Sequence, residues 1–230
     1  LQLSLRDSIF GALRLYQAYA AFIQEFPSSK GVVTMMKIII LDRDGTINED
    51  RDDYVKSPAE WIPLEGSLEA IARLSHAGWR IVIASNQSGL GRGLFDMATL
   101  NAMHEKMHKL LALEGGKVEA IFFCPHTTEE GCDCRKPLSG LYEQIATRLG
   151  VTLKGVPTVG DSLRDLQAGY GVGCEPHLVL TGKGAIYRDQ ALSAQFPKET
   201  RIHQDLYGFS EWLLHERDVQ LEALKAEKKV

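Results

Sequence analysis

The stretch KIIILDRDGTIN, residues 37–48, decides the fold. Its apolar run suits a strand buried on both faces, as in a parallel sheet. The run ends abruptly in Asp42 and Asp44, one residue apart, followed by Gly45-Thr46. Two carboxylates at the end of a buried strand repel each other and lower stability unless a cation offsets them. The other reading of this pair, taken singly, is a turn and cap role, which suits aspartate equally. What the remaining strands carry at the same end discriminates between the two.

From residue 36 the pattern alternates. Strand-like runs occur at 36–41, 79–84, 118–123, 156–160 and 177–180, with helix-like segments at 65–77, 97–113, 138–150 and 163–171. Gly78 and Gly150 stand where helices would be capped at their C-termini. Ser67 and Asp96 sit near helix starts. Such alternation predicts an α/β, Rossmann-like fold: a parallel sheet with right-handed crossovers and helices on both faces. Ligands bind such sheets beyond the carboxyl ends of the strands. Reactive side chains gather at those ends. Ser85-Asn86-Gln87-Ser88-Gly89 follows the second strand, and Asp161-Ser162 with Asp165 follows the fourth. Lys136 stands before Pro137 at the entrance to the helix that precedes the fourth strand.

The 230 residues, 44% hydrophobic, are enough for one main domain. It is expected at 36–206, between an N-terminal extension at 1–35 and a C-terminal helix and charged tail at 207–230. The extension holds Ile9, Phe10, Leu13, Tyr16, Ala20, Ile23 and Phe26 at amphipathic spacing. It reads either as a partner or membrane-surface helix or as sequence upstream of a native start near Met36, and the second is preferred. A net charge of −4 argues against a nucleic-acid partner. No apolar run approaches the ~20 residues that cross a bilayer.

Of the four cysteines, three crowd into Cys124-Pro-His126, five further residues, and Cys132-Asp-Cys134. Three thiolates and an imidazole make a closed set suited to structural Zn²⁺. The alternative is a loop of free thiols, since a Cys132–Cys134 disulfide would close a strained ring. Either way the cluster points to a reducing compartment, hence the cytoplasm. Cys174 reads as a small buried apolar residue. His104 and His108, four apart on a predicted helix, are expected at the surface.

Together these stretches resemble the four signature motifs of the haloacid dehalogenase (HAD) superfamily of phosphotransferases, over about residues 36–185. The resemblance implies a phosphatase in which Asp42 is the nucleophile and Asp44 the proton donor and then the base. Ser85 and Lys136 would hold the phosphoryl oxygens. Mg²⁺ would sit among the Asp42 carboxylate, the Asp44 backbone carbonyl and Asp161. Asp165 would orient Lys136 or a water. The cysteine loop ending in Cys-Arg-Lys-Pro further resembles the minimally capped heptose-bisphosphate 7-phosphatases and histidinol-phosphate phosphatases. DRDGTIN, SNQSG, CPH with CDCRKP, GDSLRDLQAG and the late TGKG at 181–184 favour the heptose branch.

Substrate contacts implied by that resemblance are Arg43, the loop 50–54 with Asp50 and Tyr54, Asn86, Gln87, Ser88 and Arg135. The Arg135 guanidinium would grip a second phosphate bidentately, or else pair with Asp133 or solvent. The expected enzyme is cytoplasmic, monomeric and Mg²⁺-dependent, and removes the 7-phosphate of a heptose 1,7-bisphosphate on the route to lipopolysaccharide. Histidinol phosphate is the alternative substrate, and a non-catalytic zinc-loop interaction protein the non-enzymatic alternative.

Overall fold

The computed structural model describes residues 37–227, with side chains described through residue 216. The expected N-terminal helix and the expected start near Met36 lie outside the described residues. Six parallel strands form one sheet: β1 (Ile38–Leu41), β2 (Arg80–Asn86), β3 (Ala120–Cys124), β4 (Pro157–Gly160), β5 (Glu175–Val179) and β6 (Arg201–His203). Their spatial order is β3-β2-β1-β4-β5-β6. The helices are α1 (Ser67–His76), the single turn α2 (Ser88–Gly91), α3 (Met97–Leu113), α4 (Gly140–Leu149), α5 (Leu163–Tyr170) and α6 (Leu206–Glu227). A 3₁₀ segment covers Gly182–Arg188.

β1 is covered on both faces, as its unbroken apolar run requires. Alternate side chains point to opposite sides of a strand. Ile39 and Leu41 pack with Trp61, Ile71, Met103 and Phe209, while Ile38 and Ile40 pack with Leu141, Tyr142 and Ile145 on the other side. The strand order reverses between β1 and β4, which lie side by side at the centre. Chain connections leave these two strands in opposite directions, so a crevice opens beyond their carboxyl ends. Asp42 follows one and Asp161 the other.

Local signals place the helices. The Asp96 carboxylate accepts the Thr99 N–H at 2.8 Å, capping α3. Gly150 closes α4 at φ 64°, where a side chain would be strained. Ser67 opens α1, but its hydroxyl donates to the Ile47 and Leu64 carbonyls at 2.7 and 2.8 Å. It thereby ties the helix start to the turn after β1. At the other end, Leu206, Phe209 and Leu213 of α6 are core residues. The expected boundary at 206/207 therefore falls in a helix whose first turns belong to the main core.

A histidine pair, His177 buried and His203 half-buried, couples this last helix to the sheet. His177 Nδ1 of β5 lies 3.0 Å from His203 Nε2 of β6, with Phe209 and Trp212 packed on the His177 ring. Burial first, and then the neighbouring cationic charge, pushes His177 down to about 3 and His203 to about 4. In the unfolded chain both take up a proton near pH 6.5, before the folded protein can. Stability is therefore fully present above that pH and is lost as pH falls below it. His177 alone removes about 2 kcal/mol by pH 5. Thermal melts of His177→Leu should show a flatter decline in Tm between pH 7 and 5 than the parent. Parallel slopes would contradict the burial of the neutral imidazole.

Candidate active site

The turn after β1 is built by its backbone. Asp42 N–H donates to the Val159 carbonyl at 2.8 Å, sewing the strand end to β4. The Ile47 N–H bonds to the Arg43 carbonyl at 2.8 Å, and Gly45 N–H to the Asn48 carbonyl at 2.7 Å. Gly45 sits at φ 82°, and a Cβ there would lie 2.0 Å from Asp161 Oδ2. Only glycine fits both constraints.

Lys136 is the hub. Its ammonium, 2% exposed, donates to Asp42 Oδ1 at 2.6 Å, Asp165 Oδ1 at 2.6 Å and the Ala84 carbonyl at 2.7 Å. All three protons are used, so its position is fixed. The Asn86 amide holds the Lys136 backbone at both N–H and carbonyl, each 3.1 Å away. Burial disfavours the charge, but Asp165 and Asp42 outweigh it and hold Lys136 above its ordinary range. The same ammonium keeps Asp165 below its usual range against burial. Asp165 Oδ2 accepts from the Ser162 N–H and hydroxyl at 3.0 and 2.6 Å. Both its oxygens are thus engaged in holding Lys136 and capping α5.

The remaining acids carry surplus negative charge. Oxygens of Asp42, Asp161 and Asp165 lie within 4.8 Å of one another, all three residues buried, with the single ammonium of Lys136 among them. Burial lifts Asp42 to about 7, Lys136 pulling it down and Asp165 and Asp44 adding to the rise. Asp161 is raised well above the usual carboxylate range by burial and by the charges of Asp165 and Asp42. Hard oxygens packed so closely fit a divalent cation such as Mg²⁺. Asp42 and Asp161 are the carboxylates that could hold it, with the Asp44 carbonyl as the third protein ligand implied by resemblance.

Asp44 is held differently. Its two oxygens accept from Arg43 Nη2 at 2.8 Å each, from Asn48 Nδ2 at 2.9 Å and from Gln87 Nε2 at 2.8 Å. Burial opposes the charge, yet the Arg43 guanidinium and these donors keep the carboxyl below its usual range. In the resting site it is ionised.

Arg43 is held by its neighbours. Its side chain, 1% exposed, is bonded to Asp44 and Gln87. The adjacent carboxylate captures it. Asn86 and Gln87 line the cavity, but their amides are committed to Lys136 and to Asp44 and Ser85. Ser85 and Ser88 also line it, both buried. Across the mouth lie Asp50 and Tyr54, the latter at φ 69°, a left-handed conformation that disfavours non-glycine residues. Arg135 lines the cavity from the cysteine loop and donates to the His126 carbonyl at 3.3 Å. Two charged lining residues are not singled out by the sequence: Arg164, inside GDSLRDLQAG, and Lys183, inside TGKG. Both stood within quoted motifs, but nothing there pointed at the cavity.

The cysteine cluster closes beside β3. Cys124 Sγ lies 3.6 Å from His126 Nδ1 and 3.6 Å from Cys132 Sγ, while Cys134 Sγ lies 3.3 Å from His126 Nδ1 and 3.5 Å from Cys132 Sγ. Zn–S and Zn–N bonds of about 2.3 and 2.0 Å in a tetrahedron require S···S edges of about 3.8 Å and S···N edges of about 3.5 Å. The observed edges fit that figure. None of the four cysteines is in a disulfide. Cys174 is buried among apolar neighbours, as expected. His104 is not the surface residue expected: it is half-buried near Phe123, at 6.4 Å between ring centroids, and burial pushes it to about 4. His108 is exposed. Among the described residues no helix is long and apolar enough to cross a membrane.

Comparison with known proteins gives a consistent picture. A HAD-hydrolase-like family profile matches residues 133–208, and a polynucleotide kinase 3 phosphatase profile matches 37–162. The chain is 59% identical, over 79% of its own length and 99% of the relative's, to the D-glycero-β-D-manno-heptose-1,7-bisphosphate 7-phosphatase of Bordetella bronchiseptica. The Pseudomonas aeruginosa protein of the same name is 50% identical over 77% of this chain and 97% of its own. Among solved structures, the B. bronchiseptica D,D-heptose 1,7-bisphosphate phosphatase, complexed with magnesium and phosphate, superposes with a TM-score of 0.75 at 59% identity, covering 79% of this chain and 99% of that one. The Burkholderia thailandensis D,D-heptose 1,7-bisphosphate phosphatase gives 0.61 at 49% identity, covering 77% of this chain and 98% of that one.

Proposed function

The chain belongs to the D-glycero-β-D-manno-heptose-1,7-bisphosphate 7-phosphatase family of HAD-like hydrolases, and on that premise we propose that it removes the 7-phosphate of a heptose 1,7-bisphosphate through an aspartyl phosphate on Asp42. The observation that carries this reading is the Asp42–Lys136–Asp165 chain at the switch point, with Asp161 beside it.

Asp42 Oδ attacks phosphorus as the bond to the sugar oxygen breaks; Lys136, exchanging its bond to Asp42 for one to the phosphoryl group, and Ser85 donate to the non-bridging oxygens as charge accumulates there. The leaving alkoxide takes its proton from Asp44. That step requires Asp44 protonated in the complex, where an incoming phosphate dianion raises its pKa. Asp44, ionised again, then removes a proton from water, which attacks phosphorus and frees Asp42. Arg43, Asn48 and Gln87 aim the Asp44 carboxylate throughout. Asp42, Asp161 and the Asp44 carbonyl would hold Mg²⁺, which when bound supplies positive charge against the three acids and the phosphate. Cys124, His126, Cys132 and Cys134 would hold Zn²⁺ as a structural staple for the loop that presents Arg135 and Lys136. Arg135 at the cavity wall takes the second phosphate. The cysteine cluster supports a reducing compartment, read as the cytoplasm, and the proposed enzyme acts as a monomer on a small sugar bisphosphate.

Phosphate release measured at equal enzyme tests this. Losing a charge-assisted contact to the second phosphate should lower kcat/KM about 10- to 100-fold for the heptose monophosphate. Histidinol phosphate and a 3′-phosphorylated oligonucleotide should be poorer still. Preference for either of those would overturn the substrate assignment.

A further inference from the structure

The late TGKG stretch has no part in the chemistry above, yet it touches the site at three points. Thr181 Oγ1 donates to the Gly45 carbonyl at 2.6 Å. The Lys183 backbone N–H donates to Asp161 Oδ2 at 2.7 Å. The Lys183 ammonium forms an ion pair with Asp50 on the opposite lip of the cavity. Between them Gly182, at φ 49°, packs so closely that a Cβ would lie 2.2 Å from Asp161 Oδ2 and 2.6 Å from Gly45 Cα. The Asp161 carboxylate is therefore sandwiched between two glycines, 45 and 182, from distant parts of the chain. Its Oδ1 takes no hydrogen bond within the described residues.

We propose that residues 181–183 are a positioning clamp for the Asp161 carboxylate, fixing Oδ2 so that Oδ1 alone faces the divalent cation. This rests on the proposed metal reading of Asp42 and Asp161. A buried carboxylate free to rotate could turn either oxygen inward or form a new internal hydrogen bond. With Oδ2 occupied by a backbone donor and both glycine walls in contact, one orientation remains. Outer partners of a metal ligand are commonly worth 10- to 100-fold in affinity, on the order of what such clamping supplies. Lys183 contributes through its backbone, not its charge. A cation near a cation site weakens binding, so removing the ammonium should not reduce affinity.

Mg²⁺ titration calorimetry on the zinc-loaded protein tests the clamp without reference to any substrate. Gly182→Ala should bind Mg²⁺ about 10- to 100-fold more weakly, whereas Lys183→Met, which keeps the N–H, should bind it as tightly as the parent or tighter. Equal affinity in a folded Gly182→Ala protein would overturn the proposal. So would a loss in Lys183→Met matching that of Gly182→Ala, because charge would then be the cause. Should Gly182→Ala not fold, Thr181→Val decides: a several-fold loss supports the clamp, and unchanged affinity removes it. A parent protein that binds no Mg²⁺ would sink the metal reading and the clamp together. A parent that binds Mg²⁺ but ignores the heptose bisphosphate would fault only the substrate assignment.

Discussion

Turnover of Asp42→Asn is expected to fall by about 10⁴-fold or more, because an amide offers no carboxylate oxygen to attack phosphorus. Few other changes in the site should be so selective. Lys136 keeps its bonds to Asp165 and the Ala84 carbonyl, so the hub stays in place. Without Mg²⁺ the variant should be at least as stable as the parent. Burial lifts the Asp42 carboxyl to about 7, so in the folded protein its ionised form is disfavoured. A group raised in this way withdraws stability above its unfolded value, near pH 4, and the loss is complete above its folded one. An asparagine carries no such penalty, and Tm at pH 8 should hold or rise. Zinc content should not change. Normal turnover would remove the nucleophile assignment, and a sharp drop in Tm would contradict the electrostatic picture of the site.

Breaking the cysteine cluster should be the second large effect, and it should act at a distance. Cys132→Ser removes one thiolate from a half-exposed position, leaving buried Cys124 and Cys134 untouched in the core. Structural zinc sites contribute on the order of 10 kcal/mol to the folding of small domains. Here the larger core keeps the fold, and the loss falls on the loop. Cys134 is followed at once by Arg135 and Lys136, and Arg135 also leans on the His126 carbonyl. A loosened loop misplaces the ammonium that meets the phosphoryl oxygens. The expected result is zinc loss by metal analysis and a kcat about 100-fold lower, comparable to removing one preorganised donor from a transition state. Retained zinc with unchanged kcat would show that the four groups do not hold a metal together.

Much of this site is legible in the chain, for physical reasons. A run such as Ile38–Leu41 has few folded destinations, and a strand covered on both faces implies a parallel sheet. Five strands with helices between them then put Asp42, Ser85 and Asp161 at one rim, because parallel strands share a carboxyl end. The three-residue β6 was missed because it is too short to carry a period and lies at the sheet edge, with Arg201 and Ile202 exposed. The bonds of Arg43 to Asp44 and Gln87 are not legible in the chain, because side-chain direction in a turn depends on which charge captures it first. His104 was misread because helical spacing does not reveal that Phe123 of the neighbouring strand lies against it. Lys183 stayed hidden for the opposite reason: its contact with Asp161 is made by a backbone N–H, which every residue but proline possesses.

The decisive measurement is capture of the covalent state. Heptose bisphosphate turnover by the Mg²⁺-loaded protein is quenched in acid within the first catalytic cycle, and the digested peptides are mapped by mass spectrometry, with Asp42→Asn run in parallel. The phosphoryl group should appear on Asp42 in the parent and on no residue in the variant. A phosphoryl group on another side chain, or on the variant, would contradict attack by the carboxylate at the end of β1.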